Sequence, residues 1–515
     1  MTKLGISFAI HPILKIFRTS FRFLIGPAAY SILKNRYICV FLIKPDNKMN
    51  KRNKLYLSLL IFTLASIFSS CGKEEEQLVE DNNNKQYPEN SWIERTMRNK
   101  YYWYKEMPEF GSLKFDADAE TFFKSLLSTK DGKEGYFYSY IESTTPVTRG
   151  IYQTTYSYGF DYTLYRMSNT EFVAHILYVA PDSPASQAGI KRGDWIVTMD
   201  GAYITEQNYK TLYGGKSMEL QLAVYNPVSD KLDVGKKVQI DTAREIVDNP
   251  VYFNKVIDWG GRKVGYLVYN HFSSGKTDND KSFDKDMLAR FKDFKTAGVN
   301  EFVLDLRYNN GGSLSCAQLL STMLAPQSAL GKTMCTLEYN DKQRPQNINI
   351  ALNSSLIADG ANLNLQTLYV LVTETSASAS ELVINSLKPY MNVVIIGMQT
   401  EGKNVGSETY TDDAYDWKLH PIVCKLFNSQ NKSDYEKGFT PDYKLDEATE
   451  LDQFLEFGNT NELLLNAALR IIDGSYTQAT TKSATFFTQN LQKVSGSLDR
   501  KATPGVVIDI ETGQE

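Results

Sequence analysis

The stretch TETSASASELVINSLKPYMNVVIIGMQTEGKNVG, residues 373–406, decides how this chain is read. Residues 368–373 at its entrance, LYVLVT, form a short apolar run with β-branched members, the pattern of a buried strand. The composition changes at once to the small, helix-tolerant SASASELVINSL. A second apolar run, VVIIG at 393–397, leads into a loop that presents Lys403 between Gly402 and Asn404. The succession of strand, polar turn, helix, strand and loop sets a serine at a helix N-terminus. There, unpaired N–H groups and the positive end of the helix dipole face any developing negative charge.

Serine and lysine together suffice for acyl transfer. A buried, neutral amine takes the serine proton while backbone amides hold the oxyanion. Burial must bring the lysine from roughly 10.4 down to about 7 to 8. Ser378 is the central serine of a SAS-A-x-E pattern, and Lys403 follows 25 positions later in Thr400-Glu401-Gly402-Lys403. In motif and spacing this resembles the active site of the C-terminal processing peptidases, serine peptidase family S41, and the resemblance implies Ser378 as nucleophile and Lys403 as its base. A Ser/Ala turn alone is a cap and a Gly-Lys loop alone is solvated surface. Their joint occurrence behind a strand carries the catalytic reading.

Further motifs extend the resemblance over most of the chain from Trp92 to Gly474. DLRYNNGG, residues 305–312, is similar to the family's DLRxNxGG, which implies an oxyanion hole built from an amide of Gly311 or Gly312 and the amide of Ala379. Asp305 and Arg307, a charged pair at a strand end, are read as holding that turn. Many relatives carry a glutamine four residues after the lysine, where this chain has Ser407. Ser407 is therefore the candidate orienter, the alternative being a dyad that acts alone. Residues 178–201 (YVAPDSPASQAGIKRGDWIVTMDG) resemble a PDZ signature, and Tyr158-Gly159-Phe160 its carboxylate-binding loop, in which backbone amides hold a peptide C-terminus while the peptide adds a strand to a sheet edge. Gly159 is expected to allow close approach of a ligand. GFTPD at 438–442 is similar to a late GxxPD turn.

The implied fold is an α/β catalytic core of the ClpP/crotonase-like kind at residues 249–474. A β-rich PDZ domain at 149–248 is inserted in it or precedes it, and a small helical N-terminal cap at 89–148 comes first. The pattern agrees: strand-like 265–272, helical spacing of Phe283, Met287, Phe291 and Phe294, and strand-like 301–307 alternate as an α/β core requires. Met218, Leu220, Leu222 and Val224 alternate as one face of a strand. Ser91-Trp92-Ile93-Glu94 has capping-box spacing at the start of a helix running to Lys105, a second helix covers 119–128, and a closing helix from Asn461 sets Leu464, Ala468 and Ile471 on one face. Residues 475–515 form a tail without a readable role.

Residues 49–70 have the basic start, apolar run and small-residue exit of a signal peptide, and Ser69-Ser70-Cys71 resembles a bacterial lipobox. The resemblance implies that Cys71 is lipidated, and residues 1–48 are read as an upstream extension, the alternative being a membrane-associated leader. Residues 71–88 read as a polar tether. The acidic run 74–76 resembles the export signal of Bacteroidota surface lipoproteins. The expected location is the cell envelope, as an outer-membrane lipoprotein facing periplasm or cell surface, and the expected partners are the membrane, through its lipid anchor, and protein or peptide substrates with accessible C-termini.

Across 515 residues the net charge is −4, which gives no basic footprint for nucleic acid. His175, His271 and His420 have no triad motif around them. Cys316, Cys335 and Cys424 lack metal-ligand spacing, so no metal or cofactor is expected. A non-catalytic module that binds peptide C-termini and a small-molecule binder on the same core stay open as other functions. The intact PDZ signature favours peptides, and Ser378 with Lys403 favours catalysis.

Overall fold

In the computed structural model the chain is described over residues 85–509, apart from 134, 145–153, 278, 359, 478–484 and 502–505. The upstream extension, the signal sequence, Cys71 and the tether as far as residue 84 lie outside the described residues. A six-stranded sheet forms the centre, in the order Val251–Trp259, Arg262–Tyr269, Glu301–Asp305, Thr367–Val372, Asn392–Gly397, Tyr443–Lys444. The first pair is antiparallel and the others are parallel. Both faces of a parallel sheet must be covered, which explains the unbroken apolar runs in its strands. Leu368, Val370 and Val372 point into one core with Leu304, Ile395 and the helices Ser282–Thr296, Leu314–Leu324 and Ala379–Leu387. Tyr369 and Leu371 point into the other, which the Leu463–Ile472 helix covers. Phe283, Met287, Phe291 and Phe294 are all buried, as their spacing predicts.

A second sheet, in the order Ile348–Ala351, Thr333–Tyr339, Ile422–Asn428, Val405–Ser407, Val506–Val507, carries the strand that leaves Lys403. The β-rich unit is a separate sheet whose path runs through Gln492–Gly496, Phe160–Arg166, Phe172–Val179, Trp195–Met199, Met218–Asn226 and Lys231–Ile240. Its first strand comes from the C-terminal tail, 326 residues further along the chain at Gln492↔Arg166.

Three local expectations are corrected. The first helix spans Pro88–Lys100, so Ser91 lies inside it and caps nothing; Pro88, with its fixed φ and missing N–H, starts the helix a turn earlier. In the strand Met218–Asn226 the alternation holds through Leu222, but Val224 is exposed beyond the edge of that core, and Ala223 is buried on the opposite face with Trp195 and Leu451, because both faces of this sheet are covered there. The closing helix buries Leu464, Leu465, Ala468, Leu469 and Ile472, with Ile471 at its margin.

Asp305 and Arg307 do hold the turn, within a larger buried network. Arg307 Nη2 lies 2.8 Å from Asp305, and its Nη1 donates to Glu447 at 2.8 Å and Glu462 at 2.6 Å. Arg192, from the β-rich unit, donates to Glu447 at 2.9 Å and to the Tyr308 hydroxyl at 2.7 Å. Its guanidinium stacks 3.7 Å from the Phe454 ring centre. Burial pushes the Glu447 carboxyl up, but Arg307 and Arg192 outweigh it and hold the group at about 2. Removing one member of such a network strands a charge without solvent. Glu462→Ala is therefore expected to cost about 3–5 kcal/mol in chemical denaturation. Because the Glu447 pKa is depressed, its contribution is complete above the ordinary glutamate range and fades as pH falls from about 4.5 toward 2. Glu447→Gln is expected to flatten that acid limb.

Candidate active site

The turn between Thr367–Val372 and Ala379–Leu387 is tied down by its outer serines. Ser376 Oγ donates to the Leu306 carbonyl at 2.8 Å, and Ser380 Oγ to the Asn309 carbonyl at 2.9 Å. The serine between them is treated differently. Ser378 is fully buried, its Oγ has no hydrogen-bond partner among the described residues, and its backbone sits at φ 61°, ψ −114°. A left-handed φ at a non-glycine residue costs about 1–3 kcal/mol and persists only where the surroundings enforce it. The helix Ala379–Leu387 begins at the next residue, so its unpaired amides and dipole lie beside Ser378.

Glu381 connects this turn to the lysine loop. Its Oε2 accepts from the amides of Ser378 at 3.0 Å and Lys403 at 2.8 Å. Its Oε1 accepts from the Gly402 amide at 2.7 Å and the Thr400 hydroxyl at 2.6 Å. One carboxylate thus fixes the backbones of both candidate catalytic residues. Burial pushes the Glu381 carboxyl up to about 7, against the opposing pull of those donors. Glu381 is the site residue that sequence reasoning missed, although the last letter of SAS-A-x-E marked it.

Lys403 is buried, and its amine is pushed down to about 8 by burial, moderated by the attraction of Glu401 and Glu381. Its Nζ lies 4.9 Å from the centre of the Tyr138 ring. Tyr138 comes from the N-terminal segment. Its amide and that of Ser139 donate to Asp131 Oδ1 at 3.0 and 2.9 Å, and Tyr101, just past the first helix, donates to Asp131 Oδ2 at 2.8 Å. Lys133 from the same segment pairs with Glu401 at 3.2 Å, and the Tyr136 hydroxyl donates to Glu401. A ring brought in from 265 residues upstream leaves no local signal in the sequence. Ser407 is buried in the strand Val405–Ser407, its carbonyl accepting from the Ile508 amide at 3.0 Å.

The glycine turn lies against the serine. A Cβ on Gly311, at φ 109°, would fall 2.5 Å from Ser378 Cβ and 2.8 Å from its Oγ, so only glycine fits. The Gly311 amide donates to Asn309 Oδ1 at 2.8 Å, which removes it as an oxyanion donor and leaves Gly312 and Ala379 as candidates. In the β-rich unit, Tyr158 and Phe160 bury their rings in its core, and the Gly159 amide donates to Ser157 Oγ at 3.1 Å. The expectation for Gly159 is corrected: a Cβ there would fall 2.1 Å from Ser183 Cβ, so its close approach is to its own chain.

The other candidate groups are engaged elsewhere. His175 stacks on Trp195 with ring centres 4.2 Å apart, and burial pushes it down to about 3. His420 Nε2 lies 3.1 Å from Glu142, and its ring stacks on Tyr140. Cys316, Cys335 and Cys424 are free thiols, all buried. Among the described residues no group of acidic, histidine or cysteine side chains could hold a metal ion.

Residues 263–445 match the peptidase family S41, and residues 89–140 match the peptidase S41 N-terminal domain. The chain is similar to an S41 protease of known structure from Bacteroides fragilis, with 42% identity and a TM-score of 0.69 over 75% of this chain and 98% of that one. It is 30% identical over 269 residues to a carboxyl-terminal-processing protease of Picosynechococcus, covering 49% of this chain and 59% of that protein. With the corresponding Synechocystis protease it shares 24% over 301 residues, 57% of this chain and 63% of the relative. The chain thus spans less than two thirds of these two curated relatives.

The geometry sets an expected titration. Lys403 Nζ, followed by NMR of isotope-labelled lysine, should titrate near 8, and Glu401→Gln should move it lower, because that carboxylate favours the charged amine. An unchanged or higher value in Glu401→Gln would contradict the assignment.

Proposed function

Because the chain belongs to peptidase family S41, we propose that it is a serine endopeptidase working through Ser378 and Lys403. The observation that carries this reading is the buried Ser378 Oγ, without a hydrogen-bond partner among the described residues, at a helix N-terminus, with its backbone and that of a lysine held at about 8 bound to one carboxylate. In the proposed cycle Ser378 Oγ attacks the scissile carbonyl carbon and its proton passes to the neutral Lys403 Nζ. The amides of Gly312 and Ala379 hold the oxyanion. Collapse releases the amine product, which takes the proton from Lys403. Lys403 then deprotonates a water that attacks the acyl-serine, and it returns that proton to Ser378 Oγ as the bond to the acyl carbon breaks, releasing the carboxyl product and restoring the Ser378 hydroxyl and the neutral amine. Tyr138 covers the Lys403 amine with its ring, which keeps water from restoring the ordinary lysine pKa.

In the same reading the β-rich unit at 149–248 is a PDZ domain that receives substrate C-termini on the edge of Phe160–Arg166, the strand that follows Tyr158-Gly159. The antiparallel sheet and the short Pro184–Gln187 helix capped by Ser183 support it. The helical segment at 89–140 is a cap that supports Lys403 through Tyr138. The sequence at 49–71 supports a lipid anchor at Cys71 and a place in the cell envelope.

Cleavage of an unfolded protein substrate tests the dyad. Ser378→Ala and Lys403→Ala, checked for folding by circular dichroism, are each expected to lower kcat/KM by a factor on the order of 10⁴. Folded wild type without activity would leave a peptide-binding module. The pH profile is a second test: kcat/KM should rise with pH and level off above about 8, as Lys403 loses its proton. Glu401→Gln should shift that limb to lower pH.

A further inference from the structure

The C-terminal tail follows a route that the proposed peptidase would reserve for substrate. Residues Gln492–Gly496 add an antiparallel strand to Phe160–Arg166, with Gln492 opposite Arg166 and Gly496 opposite Thr163. This is the edge beside the Tyr158-Gly159-Phe160 loop, and the tail runs along it toward that loop, the direction a bound peptide C-terminus takes. Buried Ser497 ends the strand: its Oγ accepts from the Tyr162 amide at 2.9 Å and donates to Asp161 at 2.7 Å.

The chain then reaches the catalytic turn. The Leu498 carbonyl accepts from Asn310 Nδ2 at 3.0 Å, next to Gly311, and the Leu498 side chain is buried with Tyr178 and Tyr308. Lys493 pairs with Glu374, in the turn that precedes Ser378, at 3.3 Å. Beyond the segment outside the described residues, Val506–Val507 pairs in parallel with Val405–Ser407, the strand that leaves Lys403. The Val507 amide donates to the Gly312 carbonyl at 3.0 Å. Asp509 finishes the course by accepting from the Ser315 amide at 2.9 Å and the Ser315 hydroxyl at 2.7 Å. Tail backbone therefore lies on the peptide-binding edge and against both the glycine turn and the strand beside the lysine.

We propose that the chain's own C-terminal segment, residues 492–501 and 506–509, is the resident ligand of the substrate track, and that an extended polypeptide enters only by displacing it. The track takes substrate through backbone pairing on the Phe160–Arg166 edge, with side-chain selection secondary. An intramolecular strand is present at high effective concentration, so a weak fit suffices to exclude ligands in trans. This inference rests on the peptidase and PDZ reading for its meaning, but its test reads binding alone.

The test uses the full chain carrying Ser378→Ala, so that nothing is cleaved, and a fluorescent peptide with the sequence of residues 490–501. Ser497→Ala with Asp509→Asn removes side-chain bonds that hold the tail at both ends, and the peptide should then bind about tenfold more tightly. Hydrogen exchange should report faster exchange at the Tyr162 and Val507 amides. A chain ending at Asn490 serves as a second variant, its folding checked by thermal melting, and should bind the peptide at least as tightly as the double variant. Equal affinity in parent and double variant, with those two amides exchanging faster, overturns the proposal. The proposal also falls if the peptide protects amides elsewhere than in Phe160–Arg166. Absence of proteolysis in wild type would count against the peptidase reading and leave this binding result standing.

Discussion

The interaction on which the site depends is that of one buried carboxylate with four donors. Glu381 has no access to solvent, and it accepts from Ser378, Lys403, Gly402 and Thr400. An ionised carboxylate in a low-dielectric interior is tolerable only when its lone pairs are filled, so these bonds both stabilise the charge and fix the two loops. The serine turn and the lysine loop come from the ends of different strands, and Glu381 ties them together beside the bond of the Glu401 amide to the Ser376 carbonyl. With Glu381 near 7 and Lys403 near 8, the pair that works together, ionised carboxylate and neutral amine, accumulates above about pH 8.

A second buried charge cluster does for the domains what Glu381 does for the loops. Arg307 leaves the central sheet just before the glycine turn, and Arg192 comes from the β-rich unit. Both meet Glu447. Tyr308, two residues before Asn310, bonds Arg192 as well. The position of the β-rich unit is thereby coupled to the backbone lying over Ser378. Buried ion networks add little net stability, because desolvation offsets their attraction, but they penalise every arrangement that leaves a charge unpaired. That property favours one docking geometry.

The N-terminal segment and the C-terminal tail converge on the same small region from opposite ends of the described chain. The first delivers Tyr138 to the lysine amine and the second runs Val506–Val507 beside the following strand. The burial that lowers the Lys403 pKa includes the Tyr138 ring, remote in sequence, so that pKa is a property of the assembled unit. The 403 loop on its own would hold an ordinary lysine.

Local pattern determined a good deal of this protein. The unbroken apolar run at 368–373 announced a buried strand, the helical spacing of four large residues from Phe283 to Phe294 announced their burial, and Ser378 and Lys403 stood out through a motif and an interval. These features are legible because they are encoded within a few turns or strands, where periodicity and turn chemistry act. The helix start at Pro88, the exposure of Val224 and the contact of Gly159 with Ser183 were misread, because each is settled by a neighbour or by a proline rule that competes with the visible pattern. Only tertiary structure decided that Gly311 spends its amide on Asn309, that Glu381 spans both loops, that Tyr138 faces Lys403 and that the tail occupies the Phe160–Arg166 edge. The physical reason is common to all four: each is a contact between segments distant in sequence, made when burial removes water and leaves a polar group to find the partner that the fold has brought near.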